Sequence, residues 1–175
     1  MEKFISQQDK VTLAAAFGIE YKALNAVFLV ESSGSGFDKA TGKIKIQFEP
    51  YWFQKYTGQR IANGVGIQQQ EWAAFNSATV IDKIAALKST SWGLGQVMGF
   101  NFKAAGFANV DAMVTSFEES EYNQLKGMLN FIKSTPKMLK ALQTKDWATF
   151  AKYYNGPQYK DFKYDTRLAA AYAKS

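Results

Sequence analysis

Apolar residues recur every three or four positions along most of this sequence, which is the spacing of one face of a helix. Together with capping residues, glycines and prolines, the pattern predicts ten helices, over residues 7–16, 20–31, 50–57, 68–76, 78–88, 110–117, 120–133, 136–143, 147–154 and 164–173. In the fifth of these, Val80, Ile81, Ile84 and Leu87 share one face. We therefore expect a mainly α-helical protein.

One stretch between the second and third helices has the period of a strand instead. Residues 44–49 alternate apolar and polar side chains, and Thr41-Gly42 is a turn signal just before them. This pattern predicts a short β-hairpin or a small β-rich lobe. Residues 91–99 are rich in glycine and are expected to form a turn with about one helical turn.

The second predicted helix ends on a candidate acid. Leu24, Val27 and Phe28 form an apolar stripe, and the next position on that stripe is Glu31. Burial, the negative end of the helix dipole and the lack of a basic neighbour in sequence would each raise its pKa, as protonation of a glycosidic oxygen requires. The periodicity is equally compatible with a glutamate that simply reaches solvent from a frayed helix end.

A second carboxylate is needed for most glycoside hydrolysis, and two candidates follow Glu31 in the predicted β element. These are Asp38 and Glu49. Glu49 is also explained as an acid favoured by the positive end of the helix that starts at Pro50. The distance between the carboxylates decides between retention and inversion, so both stereochemical outcomes stay open.

Two further segments have residues suited to binding a sugar. Residues 91–99 place small residues beside Ser91, Trp92 and Gln96, and an aromatic face with an amide suits a pyranose carrying N-acetyl groups. Tyr154 and Asn155 offer similar groups. The alternative for Trp92 is a core residue in a buried turn, and for Tyr154 and Asn155 it is an ordinary helix end.

Composition narrows the chemistry. With no cysteine and no histidine, the chain excludes imidazole and thiolate catalysis and thiolate zinc sites, which leaves paired carboxylates as the main general acid–base solution. We expect no cofactor and no metal. The net charge of +6 favours anionic partners, but the lysines are scattered and match no nucleic-acid-binding pattern.

Length and hydropathy suggest where the chain acts. At 175 residues it fits one domain, 1–175, and is expected to be a monomer. Its N-terminus has no apolar run of the kind found in signal peptides, and no segment approaches the roughly 18 apolar residues of a membrane span. We expect synthesis in the cytoplasm without membrane insertion, so that release is needed to reach any external substrate.

Four segments, taken in order, resemble one protein family. They are residues 30–37, with the sequence VESSGSGF, residues 46–53, IQFEPYWF, residues 91–99, SWGLGQVMG, and residues 154–157, YNGP. They are similar to the endolysin-type N-acetylmuramidases of bacteria and phages, within the wider lysozyme-like clan. Peptidoglycan-binding repeats, which many of those proteins carry, are absent from this sequence.

The resemblance implies a lysozyme-like fold in which a helical lobe and a small β-hairpin lobe flank a substrate cleft. It implies peptidoglycan as partner and hydrolysis of the β-1,4 bond between N-acetylmuramic acid and N-acetylglucosamine. Glu31 matches the family's catalytic glutamate. Glu49 matches a second motif glutamate, although Pro-Tyr-Trp follows it here where the family more often has a histidine-containing sequence, so base and structural roles both stay open. Cleft-lining positions are matched by Ser91, Gln96, Tyr154 and Asn155.

Two other functions compete with this interpretation. A lytic transglycosylase belongs to the same clan but uses one glutamate and forms 1,6-anhydro ends. A non-catalytic module that binds cell wall or nucleic acid would be consistent with the basic charge alone. A phage lysis protein and a toxin against rival bacteria both fit the expected lack of a signal peptide better than a cellular remodelling enzyme does.

Overall fold

The computed structural model of the protein describes residues 2–32 and 34–175. Within them lie ten α-helices: α1 (Gln7–Ala16), α2 (Tyr21–Ser32), α3 (Pro50–Thr57), α4 (Gln68–Ile81), α5 (Lys83–Lys88), α6 (Val110–Glu119), α7 (Glu121–Ser134), α8 (Pro136–Thr144), α9 (Trp147–Tyr154) and α10 (Tyr164–Lys174). A short 3-10 helix spans Gly99–Asn101. The prediction of a mainly helical fold is confirmed, because about three fifths of the chain is helical.

The helices pack around one core. Leu24, Val27 and Phe28 are buried as their stripe in α2 predicts. The helix α10 packs along α2, with Leu168 fully buried between the two. Arg167, the neighbouring residue, donates a hydrogen bond of 3.4 Å to the carbonyl of Val30. The end of α2 is therefore fixed by a helix from the opposite end of the chain.

The β element is a three-stranded antiparallel sheet, in the order β1 (Ile46–Phe48), β2 (Thr90–Trp92) and β3 (Val97–Met98). A β-bridge between Phe37 and Ile44 forms the predicted hairpin before β1. The prediction for residues 91–99 is wrong in part, because their first residues pair with β1, Ser91 lying opposite Gln47. This pairing joins residues 44 positions apart, so no local turn signal reveals it.

Side chains of α4 complete the hydrogen bonding of β1. The Gln68 amide accepts from the backbone N–H of Ile46 at 2.9 Å and donates to its carbonyl at 2.8 Å, as a neighbouring strand would. The carboxylate of Glu71 accepts from the N–H of Phe48 at 2.8 Å. An edge strand leaves such groups unpaired, so these contacts close the sheet and hold β1 in place.

The break between α4 and α5 differs from the prediction. It lies at Asp82, whose side chain caps α5 by accepting from the N–H of Ala85 at 2.9 Å, and not near residue 77. The break turns the predicted apolar face outward, so that Val80 is 87% exposed and Ile81 and Ile84 are also exposed. Of that predicted face, only Leu87 is buried.

Among residues 2–32 and 34–175, no single helix is long and apolar enough to cross a membrane. The helices α1 and α2 meet the length and composition only when taken together, and they are bent by 116° at the break between them.

Candidate active site

Glu31 lies in the last turn of α2, where the apolar stripe of that helix ends. Its side chain is largely buried, and both carboxylate oxygens accept hydrogen bonds from the Asn155 amide, at 3.2 and 3.1 Å. Asn155 is the C-cap of α9, and its backbone N–H donates to the carbonyl of Ala151 at 2.8 Å. A helix end from the C-terminal part of the chain therefore orients this carboxylate.

The surroundings of Glu31 favour its protonated form. Burial raises its pKa from the ordinary 4.5 to about 7, while the Asn155 hydrogen bonds and the positive charge of Arg167 oppose that rise. The burial predicted from periodicity is thus present. The charge of Arg167 was missed, because it comes from α10 and is far away in sequence.

Tyr154 and Asn155 stand next to Glu31. The Tyr154 hydroxyl donates a 2.6 Å hydrogen bond to the carbonyl of Gly95, and its ring stacks on Phe150 with centroids 5.4 Å apart. Burial, and then the charge of Glu31, hold the pKa of this phenol well above its ordinary value, so it stays a donor. Asn155 Oδ1 is buried and has no hydrogen-bond partner among residues 2–32 and 34–175.

Glu49 sits at the junction of β1 and α3 and is partly buried. It occupies the N-cap position, but its side chain makes no capping hydrogen bond. The side chain instead accepts from the Gln47 amide at 3.0 Å. Burial raises the pKa of Glu49, the charge of Glu71 adds to that rise, and the Gln47 hydrogen bond opposes it. Glu49 thus lies at the positive end of α3, as the alternative expects, but without a capping hydrogen bond.

Asp38 has a different environment. Its carboxylate accepts from the backbone N–H and the hydroxyl of Thr41, each at 2.8 Å. These hydrogen bonds lower the pKa of Asp38. Asp38 therefore stabilises the turn of its own hairpin, as Asp commonly does in turns.

Ser91 and Gln96 brace the turn that joins β2 to β3. The Ser91 hydroxyl donates to Gln96 Oε1 at 2.9 Å, and Gln96 Nε2 donates to the carbonyl of Gly93 at 2.8 Å. Gln96 adopts a left-handed backbone conformation with φ 46°. Both polar ends of its amide are therefore used inside the turn.

A continuous series of contacts joins the two glutamates. From Glu49 it passes through Gln47 to Ser91, which lies opposite Gln47 in the sheet, and on to Gln96. The carbonyl of the preceding residue, Gly95, accepts from Tyr154, and Asn155 follows with its bonds to Glu31. Six of the seven predicted site residues therefore belong to one connected region, and the exception is Trp92.

Trp92 is a core residue, which corrects its prediction as a sugar-binding platform. The side chain is 1% exposed and its indole N–H donates to the carbonyl of Leu87 at 3.1 Å. The ring packs edge-on against Phe75 and Trp72, with centroids 5.3 and 6.2 Å apart. The indole has no free face for a ligand, and the core alternative for this residue is the one observed.

The glycines around Trp92 also serve internal packing. A Cβ on Gly93 or on Gly36 would lie within 2.5 Å of the Gln124 side-chain oxygen. That buried amide accepts from the N–H of Leu94 at 2.8 Å and donates to the carbonyl of Phe117 at 2.7 Å. The small residues thus let two backbone segments approach the Gln124 side chain.

Comparison with known proteins identifies the family. The N-acetylmuramidase family model matches residues 20–175. This chain belongs to the N-acetylmuramidase family. The muramidase is also similar to a Burkholderia AP3 phage endolysin, whose crystal structure it matches with a TM-score of 0.88 and 31% sequence identity, over 99% of this chain and 71% of the endolysin. A comparison with curated protein sequences finds no match.

These findings confirm the family, the enzyme class and the lysozyme-like fold inferred from the four motifs. The muramidase is a glycoside hydrolase that acts on peptidoglycan. Its substrate also gives the positive net charge a context, since cell walls are anionic.

Sequence reasoning missed the groups that hold the muramidase site in place. Glu121, only 3% exposed, accepts from the N–H of Ile5, the N–H of Gly36 and the hydroxyl of Ser35 at 2.8 to 3.1 Å. It thereby fixes the segment that follows Glu31. Glu71 does the same for β1 beside Glu49. Both glutamates interrupt apolar helix faces, which is the sequence signal that also pointed to Glu31.

Proposed function

We propose that this muramidase hydrolyses the β-1,4 bond between N-acetylmuramic acid and N-acetylglucosamine, with Glu31 as the general acid. The observation that carries the proposal is the environment of Glu31, where burial raises its pKa to about 7. A carboxyl group with a pKa of about 7 is protonated in about half of the molecules at pH 7 and can protonate the leaving oxygen. Asn155 orients it through two hydrogen bonds.

Glu49 is the second carboxylate of this proposal. It either activates the attacking water or stabilises the positive charge that develops at the anomeric carbon. Two observations favour it over Asp38: its carboxylate is not committed to capping α3, and the contact series through Gln47 connects it to the Glu31 region. The Asp38 carboxylate is already engaged twice by Thr41.

The sugar contacts are assigned to the residues between the two glutamates. Asn155 has a buried carbonyl oxygen without a partner in the described part of the chain, and it suits a sugar hydroxyl or N-acetyl N–H as donor. Ser91, Gln96 and Tyr154 form the wall beside it, where their hydrogen bonds fix the shape of the β2–β3 turn. In this proposal, these three residues keep the surface rigid, and a rigid surface favours precise placement of the glycan.

Replacing Glu31 with Gln tests the acid. The amide keeps the shape of the side chain and cannot donate the proton, so release of reducing ends from purified peptidoglycan should fall about 10²–10⁴-fold. The matched control is Glu119→Gln on the exposed end of α6, which should leave the rate unchanged. A folded Glu31→Gln enzyme with near-wild-type rate would show that the acid is another group.

Glu49→Gln tests the second role in the same assay. A loss of about 10²-fold or more is expected if the carboxylate assists water or charge development, whereas a loss of only a few-fold would make Glu49 structural. Mass spectrometry of the digest checks the reaction type, because hydrolysis adds one water to the product. Anhydro products would instead identify a lytic transglycosylase.

The likeness to the Burkholderia AP3 phage endolysin supports a lytic role. We extend the proposal to place the muramidase on the cell wall after its release from the cytoplasm. Addition of the purified enzyme to cells with a permeabilised outer barrier should lyse them, and the Glu31→Gln variant should not.

A further inference from the structure

A groove of about 570 Å³ runs between α8 and α9, away from the residues assigned to catalysis. Lys137 and Lys140 line it from α8, and Lys152 lines it from α9. Thr149 and Tyr153 contribute a hydroxyl and an aromatic ring. A groove of this size accommodates an extended chain of several atoms with polar groups along it.

The three lysines are available for a ligand. All three side chains are exposed, and none has a hydrogen-bond, ion-pair or cation–π partner within residues 2–32 and 34–175. The one acidic residue of the groove, Asp146, already caps α9 by accepting from the N–H of Thr149 at 3.1 Å. With three lysines against one aspartate, the groove has an excess of positive charge.

The helix α9 connects the groove with the candidate active site. Lys152 and Tyr153 are followed on the same helix by Tyr154, and then by Asn155 at its C-cap. At about 1.5 Å of rise per helical residue, Lys152 lies about 4.5 Å along the axis from Asn155. A glycan strand held at Glu31 would thus have a basic groove beside it.

We infer that this groove binds the free carboxylates of the stem peptides that the muramic acid residues of the substrate carry. The inference rests on the proposed function, since it assumes that the glycan strand enters beside Glu31. The match is one of charge: three ammonium groups, which outnumber the single carboxylate of the groove, face a substrate whose side branches end in carboxylates. Such exposed contacts act mainly on substrate capture and weaken with salt.

Two soluble substrates that differ in the charge of their stem peptides test the inference. One is uncross-linked glycan strands with intact stem peptides, and the other is the same strands after carbodiimide and ammonia have converted the carboxylates to amides. Binding is measured by titration calorimetry in the Glu31→Gln background, where cleavage does not interfere. At low ionic strength the amidated strands should bind about tenfold more weakly, because several modest exposed ion pairs are lost.

The triple variant Lys137→Gln, Lys140→Gln, Lys152→Gln should bind both substrates equally, at the weaker affinity. The matched control replaces the exposed Lys22, Lys39 and Lys103 with Gln. It removes the same net charge at positions outside the groove. That control should keep the tenfold discrimination. An unchanged discrimination in the groove variant, or an equal loss in both variants, would overturn the inference.

Failure of the proposed function has a different signature. In that case Glu31→Gln retains cleavage of intact strands, and this is established before the binding experiment. The remaining activity is then abolished with a substitution at the acid identified instead, and the two substrates are compared in that background.

Discussion

Glu31 and Glu71 are both glutamates on helices facing the interior, but their carboxylates meet different partners. Glu71 is 0% exposed and accepts from the backbone N–H groups of Phe48 at 2.8 Å and Gly66 at 2.7 Å. Within residues 2–32 and 34–175, Glu31 accepts from the side-chain amide of Asn155 alone. Two main-chain donors satisfy the hydrogen bonding of a buried carboxylate, whereas one neutral amide leaves a buried carboxylate under-solvated.

This difference distinguishes Glu71, a carboxylate that stabilises the fold, from Glu31, for which we propose a catalytic role. Glu71 connects α4 to β1 and to the loop before α4, so its hydrogen bonds stabilise the fold. Glu31 accepts from no backbone N–H in the described part of the chain, and its burial raises its pKa to about 7 instead. Buried carboxylates in this protein are therefore better classified by their donors than by their burial.

The largest expected effect is on stability, from Glu71→Leu. Loss of the carboxylate leaves two backbone donors without acceptors, each at a cost of about 1–3 kcal/mol, so the free energy of unfolding should fall by about 4 kcal/mol. Urea denaturation followed by circular dichroism measures it. Glu119→Leu, at an exposed position of α6, should change the stability by less than about 0.5 kcal/mol.

If Glu71→Leu were as stable as the wild type, the carboxylate would not anchor β1. The claim that Glu71 is the structural carboxylate of the pair would then be wrong. A partly folded variant is also informative. Because Glu71 contacts the strand that leads to Glu49, hydrolysis by the folded fraction should fall more than it does for a variant destabilised elsewhere in the core, such as Leu168→Ala.

The helices were predictable because their signals are local. Ser6, Pro50 and Pro136 stand at helix starts in the structure as they do in the sequence pattern. The pairing of β1 with β2 was not predictable, since it depends on contacts between residues such as Gln47 and Ser91 that are far apart along the chain. Local periodicity carries no information about such partners.

The second prediction concerns the cost of burying Glu31. Its pKa rises from 4.5 toward about 7 on folding, so below pH 4.5 the group is protonated in both states and contributes no pH dependence. Between pH 4.5 and 7 the unfolded chain loses its proton first, and stability falls as pH rises. Glu31→Gln removes this cost and should stabilise the protein by about 2–3 kcal/mol at pH 8.

Thermal denaturation at two pH values measures this effect. The gain of the Glu31→Gln variant over wild type should be present at pH 8 and small at pH 4, because the wild-type side chain is neutral at the lower value. A gain of the same size at both pH values would point to packing of the amide, and the claim of an under-solvated carboxylate would then be wrong.

The candidate site was predictable only in part, and the limits are physical. Glu31 was found because burial at a helix end leaves a periodic pattern. Trp92 was misassigned, since a tryptophan beside glycines fits both a sugar platform and a core turn, and only the packing of Phe75 against it decides. Arg167 could not be found at all, because α10 brings it to Glu31 from the other end of the chain.

The third prediction removes the Asn155 amide that donates to Glu31. Asn155→Ala should raise the pKa of Glu31 further, since the amide hydrogen bonds lower it, and should move the alkaline limb of kcat/KM above its expected position near pH 7. Loss of orientation should also reduce kcat about tenfold. A pH–rate profile measures both. An unchanged alkaline limb would mean that Asn155 does not act through Glu31.

The smallest expected effect is that of Tyr154→Phe. This variant tests whether Tyr154, the neighbour of Asn155, stabilises the fold as Glu71 does or takes part in the reaction as proposed for Glu31. The substitution removes the 2.6 Å hydrogen bond to the carbonyl of Gly95 and keeps the stacking on Phe150. Stability should fall by about 1 kcal/mol, the usual contribution of one hydrogen bond. Activity should fall only a few-fold, because the high pKa of the phenol makes it a fixed donor and a poor proton carrier. A rate loss beyond about 10²-fold in a fully folded variant would instead give Tyr154 a direct part in proton transfer, and Glu31 would then share its role.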